Sequence, residues 1–176
     1  MISKLIKTPR LNLIAATPEL LIAELTSRWK LGAALNAIVP EDWPPGEYDR
    51  DAIEFFYERL MSGGKLAEGW YGWYAVKRSV ASGEEALVAS GGYFGPPDTN
   101  GVVEIGYSVS ENWRRCGIAT EIVGALVENA LSRQARVVIA HTHPDNLASI
   151  NVLRRSGFVD RESVREGSVG FEFRRT

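Results

Sequence analysis

The stretch Glu111–Ile122, ENWRRCGIATEI, crowds two arginines, a cysteine, a glycine and an alanine into the opening of what the spacing predicts to be a helix. A helix N-terminus exposes unpaired backbone N–H groups and a partial positive charge. Such an end binds anions, phosphates above all, wherever the chain can come close. Gly117 removes a side chain at the turn, and Ala119 keeps the first helical turn slim. Arg114 and Arg115 add positive charge beside the amides, while Cys116 is small and leaves its own N–H reachable. On these residues alone, a solvated arginine pair before a helix-starting glycine is the plainer account.

The elements around this turn follow from residue periodicity. TPRLNLIAAT alternates Leu11, Leu13 and Ala15 against polar or mixed positions, as a half-buried strand does. Thr17-Pro18-Glu19 supplies a cap, a proline for the first helical position and an early acid, so 18–35 is expected to be helical, with Gly32 ending or kinking it. VPEDWPPGEYDR is a loop, and the helix after it places Ile53, Phe56, Tyr57 and Leu60 on one face, with Gly63 as its C-cap. GWYGWYAVKRS, EALVASGGYFG and VVEIGYSVS read as a three-strand meander whose first turn is VASGE. From Gly117 helical spacing returns through Ile118, Ile122, Leu126, Val127 and Ala130, and ARVVIAHT is a short buried strand. NLASINVLRRSG is a helix closed by Gly157, and FVDRESV with VGFEFRR forms a last hairpin. The expected class is α+β, with a largely antiparallel sheet, in one domain over residues 1–176.

Composition narrows the chemistry. One cysteine and two histidines exclude an internal disulfide and make a zinc site improbable, so no metal is expected. A net charge of −2 gives no basic footprint for general nucleic-acid binding. No segment reaches the ~18 uninterrupted apolar residues of a membrane span, and the basic residues Lys4, Lys7 and Arg10 break up the opening stretch. A cytoplasmic protein without membrane contact is expected.

Strand, basic turn, helix, strand, Asn-containing loop, helix and GF follow one another in this chain. In that order, and in Arg114-x-x-Gly117-x-Ala119 with Thr120-Glu121, in PDNLASINVLRRSGF (144–158) and in the opening TPRLNL, the sequence resembles the GNAT-type N-acetyltransferases. The match is tightest between Glu104 and Phe158, and the TPRL opening and Asn-x-x-Ser spacing are most similar to the branch containing ribosomal-protein N-terminal acetyltransferases. That branch also holds enzymes for other amines, so the acceptor stays open.

The resemblance implies acetyl-CoA as cofactor, a mixed sheet splayed at the cofactor site and helices on both faces. It implies that the amides of Arg115, Cys116, Gly117, Ile118, Ala119 and Thr120, with Arg114, cradle the pyrophosphate. Arg115 and Cys116 depart from the family, which often has glycine and then a basic residue or glutamine there. Backbone groups of Tyr107, Ser108 and Val109 are implied to pair with the pantetheine arm and polarise the acetyl carbonyl.

For the chemistry, the resemblance implies Glu104 as general base, acting through water; a strand-end glutamate paired with an arginine is an equal alternative. Asn146 is implied to bind the cofactor arm, and it also suits a helix N-cap. Ser149, one turn later, is the candidate acid for the thiolate, with Tyr107 as a substitute, because Leu153 stands where many members have a tyrosine. His141 and His143 are held in reserve as bases, and Glu121 is read as structural, complementing the helix dipole.

On the acceptor side, Glu41, Asp42, Glu47, Asp49 and Asp51 stand with Trp43 and Tyr48 in one loop, which would suit a cationic amine on an apolar or aromatic body. A solvated acidic loop with Trp43 packed inward is the plainer account of any single residue there. The leading function is acetyl transfer to a primary amine, on a peptide N-terminus or a small molecule, by a monomer or homodimer. The rival is a non-catalytic acyl-CoA-binding sensor or scaffold of the same fold. A nucleotide-phosphate binder of another fold is disfavoured, since no lysine-containing P-loop is present.

Overall fold

The computed structural model describes residues 4–78, 83–163 and 165–175. Strand β2 (Leu11–Ala15) buries Leu11, Leu13 and Ala15, as its alternation predicts. It pairs with a short strand, β1 (Leu5–Lys7), that periodicity did not reveal, because three mostly exposed residues carry no readable pattern.

The helix expected over 18–35 is two helices, α1 (Pro18–Thr26) and α2 (Arg28–Leu35). Ser27 causes the break. Its extended backbone ends α1 through an N–H bond to the Ala23 carbonyl, and its hydroxyl accepts from Lys30 N at 3.2 Å to cap α2. Gly32 neither ends nor kinks the helix. It sits inside α2, where a Cβ would come within 2.9 Å of the Ala37 carbonyl as the chain folds back. Asn36, at φ 50, ends α2.

Asp49 caps α3 (Arg50–Ala67), which buries Ile53, Phe56 and Leu60. The expected cap at Gly63 is displaced by one residue. Gly64, at φ 55, carries the non-helical conformation, and the helix resumes beyond it.

Strands β3 (Gly72–Lys77), β4 (Ala86–Tyr93) and β5 (Val102–Val109) form the predicted antiparallel meander; most of the VASGE turn lies outside the described residues. A single 3-10 turn (Glu111–Trp113) then leads into α4 (Ile118–Ser132). β6 (Val137–Thr142), α5 (Leu147–Arg155), β7 (Val159–Arg161) and β8 (Val169–Arg174) complete the chain. The FVDRESV strand is shorter than expected, and Val164 lies outside the described residues.

The eight strands run β1-β2-β3-β4-β5-β6-β8-β7, antiparallel throughout except for the parallel pair β5–β6. Glycines fix which helix covers which face. Gly72 pairs with Gly92, and its missing Cβ makes room for Phe56 of α3. Gly91, one residue along and therefore on the opposite face, makes room for Ile122 of α4. The fold is thus α+β with helices on both faces. No helix among the described residues is long and apolar enough to cross a membrane.

The parallel pair matters most for the site. It holds for three register positions, Val102↔Val137, Val103↔Val138 and Glu104↔Ile139, and then stops. Beyond it, β5 stays bonded to β4 as far as Val109, and β6 stays bonded to β8 as far as Thr142. The two strands part like a V, and the backbone groups facing the gap have no strand partner. Such groups need partners from a ligand or water.

Candidate active site

At the mouth of the V, the residues from Arg114 to Gly117 form a turn bent by two consecutive backbone devices. Arg115 adopts φ 60 and Gly117 φ 76, both in the left-handed region. Arg115 therefore holds the backbone conformation that glycine favours, at the position where the resembling family often places glycine. No side chain caps α4, so the first-turn amides of Ile118, Ala119 and Thr120 present their N–H groups outward. Arg114 Nε donates to the Val109 carbonyl at 3.1 Å, which anchors its guanidinium to the end of β5. Cys116 is exposed and its Sγ lies 3.4 Å from the Arg114 carbonyl.

The turn is braced from the N-terminal strands by residues of the TPRL opening, whose role the motif by itself did not supply. Arg10 Nη1 donates to the Cys116 carbonyl at 2.8 Å, and Arg10 Nε donates to Glu121 Oε2 at 2.6 Å. Glu121 Oε1 also accepts from Arg10 N and from the Thr8 hydroxyl. Burial would raise the Glu121 carboxyl, but these hydrogen bonds and the Arg10 charge outweigh it and hold the group below the ordinary glutamate value. Arg78 in turn ties the Thr8, Pro9 and Leu11 carbonyls. The TPRL opening is thus a clamp on the basic turn, and its signal was present in the resemblance.

At the vertex of the V, Glu104 occupies the last paired position. Its Oε1 lies 3.0 Å from His141 Nδ1 on β6, and its Oε2 accepts from Arg165 at 2.8 Å. Both side chains of the Glu104–His141 pair are largely shielded, at 15% and 6% exposure. The arginine partner foreseen as the structural alternative is therefore present, and so is a histidine that can pass a proton. Arg165 also lies over the Phe94 ring. His143 is exposed and caps a local turn through Asp145 N.

Across the gap, the Tyr107 hydroxyl lies 2.9 Å from Ser149 Oγ and 3.3 Å from the Ser149 carbonyl, bringing both acid candidates together. Burial raises the Tyr107 phenol, and the Ser149 hydrogen bond opposes that only in part. Asn146 Oδ1 accepts from Ser149 N at 3.1 Å and caps α5, fixing the serine in place. Leu153 is fully buried in the core.

The two sheet faces sort the remaining residues. The Tyr93 hydroxyl donates to the Leu126 carbonyl at 2.6 Å, which puts Tyr93 and its β5 partner Ile105 on the α4 face. By alternation Glu104, Gly106 and Ser108 belong to the opposite face, with Ser90 and Tyr74 beside Ser108 in register. On that face stands Glu24 of α1, which sequence reading missed. Its carboxylate accepts from Trp43 Nε1 at 2.6 Å, the Tyr48 hydroxyl at 2.8 Å and the Tyr74 hydroxyl at 2.6 Å. Burial raises the Glu24 carboxyl although all three hydrogen bonds pull it down. The only sequence signal was an acid three residues after Leu21, on the buried stripe of an apolar helix.

The acidic loop is partly structural. Asp49 caps α3, and Asp42 accepts from Glu111 N at 2.8 Å, tying the loop to the turn after β5. Trp43 is half-buried, with its N–H on Glu24.

This combination of a V-shaped parting beside a helix-N-terminal basic turn is that of an acyl-CoA-type acetyltransferase fold, and the comparisons agree. Residues 10–159 match the family model described as the acetyltransferase (GNAT) domain. The chain belongs to that family. It is 32% identical over 119 residues, covering 67% of each chain, to the uncharacterized N-acetyltransferase YjdG of Bacillus subtilis (strain 168). Among solved structures, it is similar to a putative ribosomal-protein-serine acetyltransferase from Vibrio cholerae, with a TM-score of 0.64, 16% identity and 99% of each chain covered. It is also similar to RimL, a ribosomal L7/L12 alpha-N-protein acetyltransferase in complex with coenzyme A. There the TM-score is 0.67 at 18% identity, with 97% of this chain and 98% of that one covered. These structural likenesses speak to the fold.

Proposed function

We propose that the chain, acting as one acetyl-CoA-dependent unit over residues 1–176, moves the acetyl group of acetyl-CoA directly to a primary amine. The observation that carries this reading is the parting of β5 from β6 immediately after Glu104↔Ile139, with the Arg115–Gly117 turn and the uncapped start of α4 at its open end. The donor set fits the cofactor. Outward first-turn amides and the Arg115 guanidinium suit a pyrophosphate and its neighbouring phosphate. By alternation along β5 the gap-facing backbone groups are those of Tyr107 and the N–H of Val109, which suit the amides of the pantetheine arm, whereas Ser108 turns its backbone groups to β4 and the Val109 carbonyl already accepts from Arg114.

When bound, acetyl-CoA supplies an acetyl carbon activated as a thioester. The chain's own residues would do the rest. Glu104, with His141 as its hydrogen-bonded partner, takes the proton from the acceptor ammonium, directly or through water. Backbone N–H groups facing the gap orient the acetyl carbonyl. Ser149, held by Asn146 and sharing a hydrogen bond with Tyr107, provides the proton for the departing thiol. The raised Tyr107 phenol keeps its proton at neutral pH and can replenish the serine. Much of the acceleration comes from holding amine and thioester in line.

Acceptors in scope are small amines and peptide N-termini, the latter being the targets named for the similar RimL. One observation favours the rival, a CoA-binding sensor: both carboxylate oxygens of Glu104 already have partners. Thiol release from acetyl-CoA against peptides, polyamines, amino acids and aminoglycosides, with cofactor binding measured on the same sample, separates the two. Release with an acceptor supports the enzyme. Binding without release across the panel supports the sensor, and no binding overturns both.

A further inference from the structure

Gly170 faces His141 across the β8–β6 pair and has no side chain. A Cβ there would stand 3.1 Å from the Arg161 carbonyl and 3.4 Å from Ser163 Cα, so the chain leaving β7 folds over the face that carries His141 and Glu104. Arg165 is fastened within this loop. Its N–H donates to Ser163 Oγ at 3.1 Å, and its carbonyl accepts from Ser168 Oγ at 3.1 Å. The side chain turns back to the sheet, where Nη2 donates to Glu104 Oε2 at 2.8 Å and the guanidinium lies 5.8 Å from the centre of the Phe94 ring. Phe94 has room on that face because Gly106 lies beside it, where a Cβ would stand 3.2 Å from the ring. Phe94 N donates to the Glu104 carbonyl, which sets the two residues side by side.

This arginine offers more than an ion pair uses. A guanidinium carries five N–H donors in a rigid planar fork. Among the described residues only Nη2 has an acceptor, and the side chain is 52% exposed beside a Glu104 at 15%. One edge of the fork is therefore spent on the candidate base, while donors on the rest of it stay open to a ligand next to that base.

Glu104 Oε2 takes Arg165 alone, which leaves it a second acceptor position. An ammonium bound there stands close to the guanidinium, and the two like charges repel. Once Glu104 takes the proton of that ammonium, the guanidinium loses its counter-ion as well. A carboxylate on the acceptor removes both penalties. It makes the incoming molecule neutral overall, it replaces Glu104 as the partner of Arg165 after proton transfer, and it matches the bidentate geometry of the fork.

We propose that Arg165 determines acceptor specificity, and that the preferred acceptor is an amine carrying a carboxylate a few bonds away, as a free α-amino acid does. A peptide N-terminus, whose neighbouring carbonyl is neutral, gives Arg165 no counter-ion. This rests on the acetyltransferase reading above and names a substrate class within it.

The test pairs free L-amino acids with their own amides, which keep the amine and the side chain and lose only the carboxylate. Thiol release from acetyl-CoA gives kcat and KM for each, and calorimetry gives the affinity of each for the CoA-loaded protein, in wild type, Arg165→Gln and Arg165→Lys. For the best acceptor, the acid should show a KM and Kd about tenfold or more below those of its amide in wild type, the scale of a charged hydrogen bond. Arg165→Gln should erase that difference without moving the KM for acetyl-CoA, and Arg165→Lys, a charge without the fork, should keep only part of it. Amides that match or surpass their acids throughout the wild-type panel overturn the proposal, as does a preference for the acid that survives in folded Arg165→Gln. Equal acceleration of acids and amides by Arg165→Gln, with their ratio unchanged, would likewise overturn it and leave the arginine a plug on the base. If no amine releases thiol, the transferase reading falls, while the Kd difference between acid and amide still decides the anion site.

Discussion

Replacing Arg10 by alanine tests whether the N-terminal strands hold the basic turn. The substitution removes the 2.6 Å ion pair to Glu121 and the 2.8 Å bond to the Cys116 carbonyl, and leaves the backbone bond from residue 10 to Glu121 in place. Arg10 is 44% exposed and Glu121 13%, so the pair is neither a surface pair nor a sealed one. Exposed pairs contribute ~0.2–1 kcal/mol and buried charged hydrogen bonds ~1.5–3 kcal/mol. An intermediate value for the pair plus a modest one for the carbonyl bond gives about 1.5 kcal/mol. In a chain of this size that lowers Tm by roughly 3–6 °C. Freeing the Cys116 carbonyl also lets the turn leave its left-handed geometry. The KM for acetyl-CoA is therefore expected to rise about tenfold, equivalent to ~1.4 kcal/mol, with a smaller change in kcat, since Arg10 touches no reacting atom. Differential scanning calorimetry and steady-state kinetics read the two effects. A lowered Tm with an unchanged KM for acetyl-CoA would refute the brace and leave Arg10 a plain stabilising residue.

Four further outcomes follow from the same geometry. Glu121→Gln should cost stability in full above about pH 4.5, because the native carboxyl lies below its ordinary value; the Tm gap to wild type should close only as pH falls further, through the depressed value. Glu104→Gln is expected to lower kcat by about 10²-fold or more, within the range for general acid–base groups, while acetyl-CoA binding by calorimetry stays near wild type; unchanged turnover would remove Glu104 as the base. Arg115→Gly should be at least as stable as wild type, since Arg115 already bears the ~1–2 kcal/mol cost of a Cβ in the left-handed region, and the β-branched Arg115→Val should be less stable than wild type in urea denaturation. Gly92→Ala would set a Cβ 2.1 Å from the Tyr71 carbonyl, so a loss of ~3 kcal/mol or more, or failure to accumulate as folded protein, is expected by circular dichroism.

Local periodicity was a reliable guide wherever one element had one clear face. Leu11, Leu13 and Ala15 announced β2, and Ile118, Ile122 and Leu126 announced α4, because burial on one side imposes a period that the residues must display. It failed where a single side chain does two jobs. Ser27 caps both α1 and α2, yet in sequence it is one polar residue in a helical run. It failed too at β1, which exists because β2 offers it hydrogen bonds rather than through any pattern of its own.

The basic turn, its glycine and the uncapped helix after it were determined by the sequence alone, since a helix start is local chemistry written within a few residues. What the tertiary structure decided are the partnerships across long separations. Arg10 reaches Cys116 and Glu121, His141 and Arg165 converge on Glu104, Tyr107 crosses the gap to Ser149, and Trp43, Tyr48 and Tyr74 surround Glu24. Residues 24 and 74, or 10 and 121, leave no mutual trace in a linear pattern, because the sheet register and the packing of α1 against it bring them together only when the whole chain has folded.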